Sequence, residues 1–264
     1  MKIINTLILL LAMTASSCNG RLNRNTTRND VELIKVPVAV GLGTLDISFD
    51  LPVPLYRSEN DEMPIDTLTF RYDKEGVWHY ETHLKSFNPY IMFSGNSYEE
   101  SRENINIGLI CFPSVLAFRV MEESDCCYRV VVDESSFETV VIRKNPDYAV
   151  LTNRDLFGVN MPKDKAYKGY YIYETWEHLL LRAEFVGFHS NYAVYDTPNG
   201  KKIFENTNGK FLPYKVVKVQ GDWMKVKKGF GREFNFEGIA NAEGWVRWKT
   251  DTAILVDITE YMID

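Results

Sequence analysis

The chain has 264 residues with 30 basic and 36 acidic side chains, a formal net charge of −6 at neutral pH. No block of either sign stands out, so the basic footprint of a nucleic-acid binder is missing and nucleic acid is excluded as an expected partner. At 45% apolar the chain is too hydrophobic for a disordered polymer and long enough for one large or two small domains.

The first element is a leader. Lys2, an apolar stretch from about Leu7 to Met13 and the small residues Ala15-Ser16-Ser17 have the three-part layout of a secretion signal over residues 1–17. The apolar stretch is far shorter than the roughly 20 residues that span a bilayer as a helix. Ala15-Ser16-Ser17-Cys18 resembles the lipobox of bacterial lipoproteins, with Ala where Leu is commoner. That resemblance implies lipidation at Cys18 and a membrane partner reached through the acyl chains, since more than one chain gives stable anchoring. It also implies a place in the cell envelope. Asn19, standing where Asp favours the inner membrane, points to the outer membrane facing the periplasm. Residues 18–30 are polar and without period, and read as a tether. Its Arg21, Arg24 and Arg28 suit either anionic headgroups or plain solvent.

From Val31 onward short runs rich in Val, Ile, Tyr, Phe and Thr alternate with Gly, Pro, Asn and Asp, which is strand chemistry. Thr67–Tyr72, a turn at Asp73–Gly76 and Val77–Thr82 predict a hairpin. On its return strand His79, Glu81 and His83 share a face. Two imidazoles and a carboxylate suit zinc, but with no further ligand a solvated hairpin face is expected and no metal site is assigned. Cys111, Cys126 and Cys127 follow. A bridge from Cys111 to either of the other two fits exported surroundings, while Cys126 and Cys127 on one strand would point to opposite faces. No CxxC pair is present.

One segment has helical period. Ile172, Trp176, Leu179, Leu180, Ala183 and Val186 predict an amphipathic helix of about four turns within a linker spanning 156–190. Glu174 and His178 lie one turn apart on it and predict a surface pair.

The chain also resembles itself across that helix. Arg119–Val130 lies without gaps over Lys215–Val226, each reading as strand, tight turn and returning strand. Val141-Ile142-Arg143 matches Trp245-Val246-Arg247, Ala149-Val150-Leu151 matches Ala253-Ile254-Leu255, and Leu55-Tyr56 parallels Val194-Tyr195. Residues 31–155 then form a first domain with a long insertion, and residues 191–264 a second.

Tyr195-Asp196-Thr197-Pro198-Asn199-Gly200, Pro213-Tyr214-Lys215-Val216, Gly221–Val226 and Gly244-Trp245-Val246 resemble the bacterial SH3-like domain, a small five-stranded barrel. With the internal match, the expected fold is mainly β: two small SH3-like β-barrels joined by an amphipathic helix. The resemblance implies a binding module for cell-wall peptide or an envelope protein, gripped in an aromatic-lined groove. Tyr195, Phe211, Tyr214, Phe230, Phe234 and Trp248 are the candidate groove residues. Tyr214, Trp223 and Trp245 also suit the barrel core, and that is the expected place for these three.

For chemistry the chain offers little. Asp125-Cys126 is similar to the Asp-Cys-Ser-Gly start of papain-like cell-wall peptidases, with His178 or His189 as the base, yet strand sequence follows it and Ser-Gly is missing. No phosphate loop, dinucleotide fingerprint or nucleophile elbow is present. No catalytic residue, metal ligand or cofactor is therefore assigned, and a lipid-anchored envelope binder is expected, with a Cys-dependent peptidase or a structural subunit as the alternatives.

Overall fold

A computed structural model describes residues 31–47, 51–72, 74, 78–93, 109–110, 115–146, 148–151, 169–188, 191–207, 212–229 and 242–259. The leader, Cys18, the tether, Cys111, His189, Phe211, Phe230, Phe234 and the turn at Gly76 lie outside the described residues. Among the described residues no helix is long and apolar enough to cross a membrane.

The described chain is mainly β. Its early strands are β1 (Ile34–Lys35), β2 (Gly43–Ile47), β3 (Val53–Tyr56), β4 (Asp66–Tyr72), β5 (Trp78–Glu81), β6 (Ile91–Phe93) and β7 (Leu109–Ile110). There follow β8 (Val115–Glu123), β9 (Cys127–Asp133), β10 (Glu138–Arg143), β11 (Tyr148–Leu151) and β12 (Gly169–Thr175). Helix α1 (Trp176–Arg182) comes next. The remaining strands are β13 (Phe185–Phe188), β14 (Tyr192–Tyr195), β15 (Lys202–Asn206), β16 (Tyr214–Gln220), β17 (Trp223–Lys228), β18 (Gly244–Arg247) and β19 (Val256–Thr259).

These strands make two sheets. The first runs β11-β12-β2-β8-β9-β10-β3-β4-β5, with β1 on β10 and β6 on β8; the second runs β15-β14-β18-β17-β16-β13-β19-β7. The predicted hairpin is β4 and β5, antiparallel with Tyr72 opposite Trp78.

The internal match has a spatial counterpart. Val120 pairs with Val130 and Val216 with Val226. The register then slips by one residue between Val120 and Glu122 in the first hairpin, and between Val216 and Lys218 in the second. A bulge at the same step of both hairpins puts an extra residue, Met121 or Val217, into the outgoing strand. The neighbours agree: Tyr56 lies opposite Val141 as Tyr195 lies opposite Trp245, and Leu45 opposite Phe118 as Val186 opposite Tyr214. The match of Ala149–Leu151 to Ala253–Leu255 fails in space. β11 lies beyond β12, whereas Ile254 bridges to Lys249, and the strand beside β13 is β19.

The helix is shorter than its period predicts. Ile172 belongs to β12 and Val186 to β13, leaving the seven residues of α1. Gly169-Tyr170-Tyr171-Ile172-Tyr173 is β-branched and aromatic, which favours strand over helix. Thr175 then caps the start by accepting the His178 N–H, and Ala183 leaves in extended geometry. Stretch 156–190 thus supplies one strand to each sheet, β12 beside β2 and β13 between β16 and β19.

Two cores result, and β8 divides them. Leu116, Phe118 and Val120 face a cluster with Leu45, Leu55, Tyr128, Val130 and Ile142. Ala117, between them on the opposite face, joins Trp176, Leu180, Val186, Tyr214, Met224 and Val246. A strand buried on both faces reads as a continuous apolar run, as Val115–Val120 does apart from Arg119. Arg119 is 1% exposed. It donates to both carboxylate oxygens of Glu134 and to the Val40 carbonyl, and its guanidinium sits among the rings of Tyr90, Phe137 and Trp176. The Val40 carbonyl also accepts the Trp176 indole N–H, and the Val40 N–H donates to the Asp251 carbonyl. One residue therefore ties both sheets and the helix together.

Candidate ligand-binding face

The pleat of β17 decides what the second sheet shows to solvent. Met224 and Val226 turn inward, so Trp223, Lys225 and Lys227 turn outward. Register extends that outer row across the sheet: Lys218 opposite Lys225, Lys225 opposite Trp245, Trp245 opposite Tyr195, Tyr195 opposite Lys202. In the next row Gln220, Trp223 and Arg247 are neighbours. Tyr195 and Trp223 meet edge to face at 5.3 Å, and Lys218 Nζ lies 5.7 Å from the Trp245 ring centre. The outer face thus carries the half-buried rings of Tyr195 and Trp223 edged by cations, with Trp245 buried between them and Lys218.

Two glycines make this face possible. Gly221 takes φ 58° in the two-residue loop between β16 and β17, a geometry glycine adopts without steric cost. A Cβ on Gly244 would lie 2.4 Å from the Tyr195 carbonyl oxygen, so only glycine lets β14 come this close to β18.

The charges on this face are unbalanced. Lys218 and Lys225 are exposed and face each other across the hairpin, as do Lys215 and Lys227. Lys215 is held by the Ala183 carbonyl and Lys202 by Glu205. Lys218, Lys225 and Lys227 form no ion pair among the described residues. Like charges directly opposite destabilise a sheet by a few tenths of a kcal/mol, and a bound anion removes that repulsion. Arg247 pairs with Asp222 at 3.3 Å at the exposed rim.

Of the six groove residues expected from sequence, this face contains Tyr195. Tyr214 is fully buried, its hydroxyl 2.7 Å from that of Tyr192. Trp248 is 3% exposed and donates its indole N–H to the Gly221 carbonyl at 2.9 Å. Both shape the core and present no ring to a ligand. The other three lie outside the described residues. Trp245 is buried at 8% exposure, as expected, whereas Trp223, also expected in the core, is half-buried on the face opposite Met224. The signal was in the sequence: Trp223 has the parity of Lys225 and Lys227, not of Met224 and Val226.

The same place on the first sheet has different chemistry. Its row reads Glu122, Arg129, Val141, Tyr56. Here the charges cancel, with Arg129 Nε 2.9 Å from Glu122 and Lys144 Nζ 3.0 Å from Glu123, while Arg143 stacks on Tyr56 at 3.9 Å. Val141 stands where the second sheet has Trp245, and Cys127 where it has Trp223. The missing indole volume leaves a notch of about 110 Å³ lined by Glu59, Ser124, Cys127, Arg129 and Val141.

The two thiols beside this notch do not diverge. Cys126 sits in the turn before β9 begins, so the strand alternation expected of the pair does not apply. Their sulfurs are 3.6 Å apart, Ser124 Oγ is 3.1 Å from Cys127 Sγ, and Glu59 Oε2 is 3.7 Å from Cys127 Sγ. The hydrogen bond with Ser124 pulls the exposed Cys126 thiol below its ordinary pKa, whereas burial pushes Cys127 up. Cys126 lies at a hairpin turn, not at a helix start, and its described neighbours are a hydroxyl, a thiol and a carboxylate. His178 is on α1, 3.5 Å from Glu174, whose carboxylate is also gripped by Arg182. The zinc-like trio is dispersed as well: Glu81 pairs with Arg71 at 2.9 Å and His83 Nδ1 with Asp66 at 3.1 Å.

A cavity of about 390 Å³ lies where the two sheets meet, lined by Asn88, Arg119, Glu134, Phe137, Thr252 and Ile254. Its one cation is already spent on Glu134 and Val40, which makes it a joint between the sheets. No known protein family, curated protein or solved structure matches the chain.

Proposed function

We propose that this chain is a lipid-anchored binding protein of the bacterial cell envelope, built from two SH3-like barrels joined by a short helix. Its second barrel takes an anionic cell-wall peptide on the face that carries Tyr195, Trp223, Lys218 and Lys225. The barrel reading is supported by strand order in the second sheet: β13 opens the circuit, β14 and β15 make a hairpin excursion, β16 to β18 form a meander, and β19 returns beside β13. The first sheet follows the same course through β2, β3, β4, β8, β9, β10 and β12. Lipidation at Cys18 and a place on the outer membrane facing the periplasm complete the proposal, resting on the leader alone.

The observation that carries the ligand class is the placing of the exposed Lys218 and Lys225 beside the half-buried rings of Tyr195 and Trp223. Rigid rings give contact area at small ordering cost, and unneutralised ammonium groups beside them favour carboxylate-bearing peptide over neutral glycan. Calorimetric titration of the mature protein with soluble cell-wall stem peptides tests it. Tyr195→Ala and Trp223→Ala should each weaken binding by about 1–2 kcal/mol, the cost of losing an aromatic anchor. Unchanged affinity in both variants contradicts the assignment.

A further inference from the structure

The geometry points to a second site in the first barrel: Cys126, Cys127 and Glu59 bind one thiophilic divalent cation of the zinc and cadmium kind. The donor atoms of these three residues all lie within 4.8 Å of one another. In a tetrahedral site with metal–sulfur bonds of about 2.3 Å and metal–oxygen bonds of about 2.1 Å, sulfurs stand roughly 3.8 Å apart and sulfur to oxygen roughly 3.6 Å. Here the sulfurs are 3.6 Å apart and Cys127 Sγ is 3.7 Å from Glu59 Oε2. Two of the three donor-to-donor edges therefore match the coordination polyhedron before any ion enters, and the third, Cys126 to Glu59, is no longer than 4.8 Å.

Three further features favour a metal over other uses of the pair. The donors come from two separate segments, the turn before β9 together with its first residue, and the connection between β3 and β4. Glu59 is placed by a loop whose Asp61 carboxylate accepts from the Arg57 and Ser58 N–H groups and the Ser58 hydroxyl. A direct bond between the sulfurs is disfavoured, because adjacent Cα atoms across a trans peptide are about 3.8 Å apart and disulfides usually need roughly 4.4–6.8 Å. Finally, the donor set has charge to spare. Two thiolates and a carboxylate exceed the charge of a divalent ion by one, and Arg143, which donates to the Glu59 backbone carbonyl, lies beside the site to offset the remainder. As each sulfur takes the ion its proton leaves to solvent, so uptake releases about two protons. The exposed flank at Cys126 is the way in, and the fourth position stays open to water.

The site is independent of the peptide-binding face, so the two assignments fail separately. The test is a titration of the reduced full mature chain with cadmium alone, reading the ultraviolet thiolate-to-metal charge-transfer band. The band should saturate at one ion per chain. Cys126→Ser removes an exposed side chain, and its variant should stay folded by circular dichroism while losing the band. Glu59→Gln should keep the band but weaken affinity at least about tenfold, since even an outer partner of a metal ligand is worth that much. The site is overturned if the reduced chain gives no band, if Glu59→Gln binds as the parent does, or if the isolated chain holds the pair as a disulfide that re-forms in the presence of cadmium.

Discussion

At the scale of single residues, Asp66 shows how much one carboxylate organises. It accepts from the Thr67, His83 and Leu84 N–H groups, from the Thr82 hydroxyl and from the His83 ring, and so closes the exit of β5 against the start of β4. Burial alone would raise its pKa, yet the hydrogen bonds from Thr82 and His83 outweigh burial and hold it below the ordinary value of 3.8. A folded pKa below the unfolded one means stability that is present above about pH 4 and lost as pH falls through the folded value. Asp66→Asn should therefore cost about 2 kcal/mol at pH 7, the worth of bonds to a charged acceptor. Urea midpoints at pH 7 and pH 3 check this: the gap between parent and variant should shrink at pH 3, and a constant gap contradicts the assignment.

At the scale of elements, the hairpins were readable and the helix was not. Arg119–Val130 and Lys215–Val226 align as sequence because both build the same strand, turn and bulged partner. The bulge itself had no signal, since Met121 and Val217 differ in nothing but the extra place they occupy. Helical period misled at Ile172 and Val186 because a strand entering and a strand leaving a short helix add inward apolar residues at the same spacing. Tertiary pairing with β2 and β19 decided the outcome there. Opposite faces were expected of Cys126 and Cys127 only on one shared strand, and the strand starts between them. The turn at Gly221 can be tested alone. No atom lies within 4 Å of a Cβ built there, so Gly221→Ala meets only the strain of φ 58°. It should cost about 1 kcal/mol, and Gly221→Asn less, by thermal unfolding. Equal stability of all three chains would mean the loop has another conformation.

At the scale of the whole molecule, two sheets share the pairing of one bulged hairpin and its neighbours and differ in surface chemistry. Each sheet's core was legible from alternation, but the face shared through β8 was not, because Arg119 interrupts the apolar run and looks like a solvent-facing residue. It is instead the buried hub of the joint. Residues 1–30 and 230–241 lie outside the described residues, so the proposed leader, tether and envelope address rest on sequence. What the described residues add is contrast. Glu122 and Arg129 form an ion pair at the place where Lys218 and Lys225 repel, and Val141 replaces Trp245 beside them.

That contrast supplies the most direct measurement. Lys218→Glu copies Glu122 of the first sheet and places a carboxylate opposite Lys225. The variant should unfold at the same temperature as the parent or slightly higher, because a repulsion becomes a surface pair worth up to about 1 kcal/mol. Its affinity for anionic stem peptide should fall at least about tenfold, the loss expected when a like charge is set against the ligand. A stable variant that still binds the peptide as tightly as the parent would contradict the account.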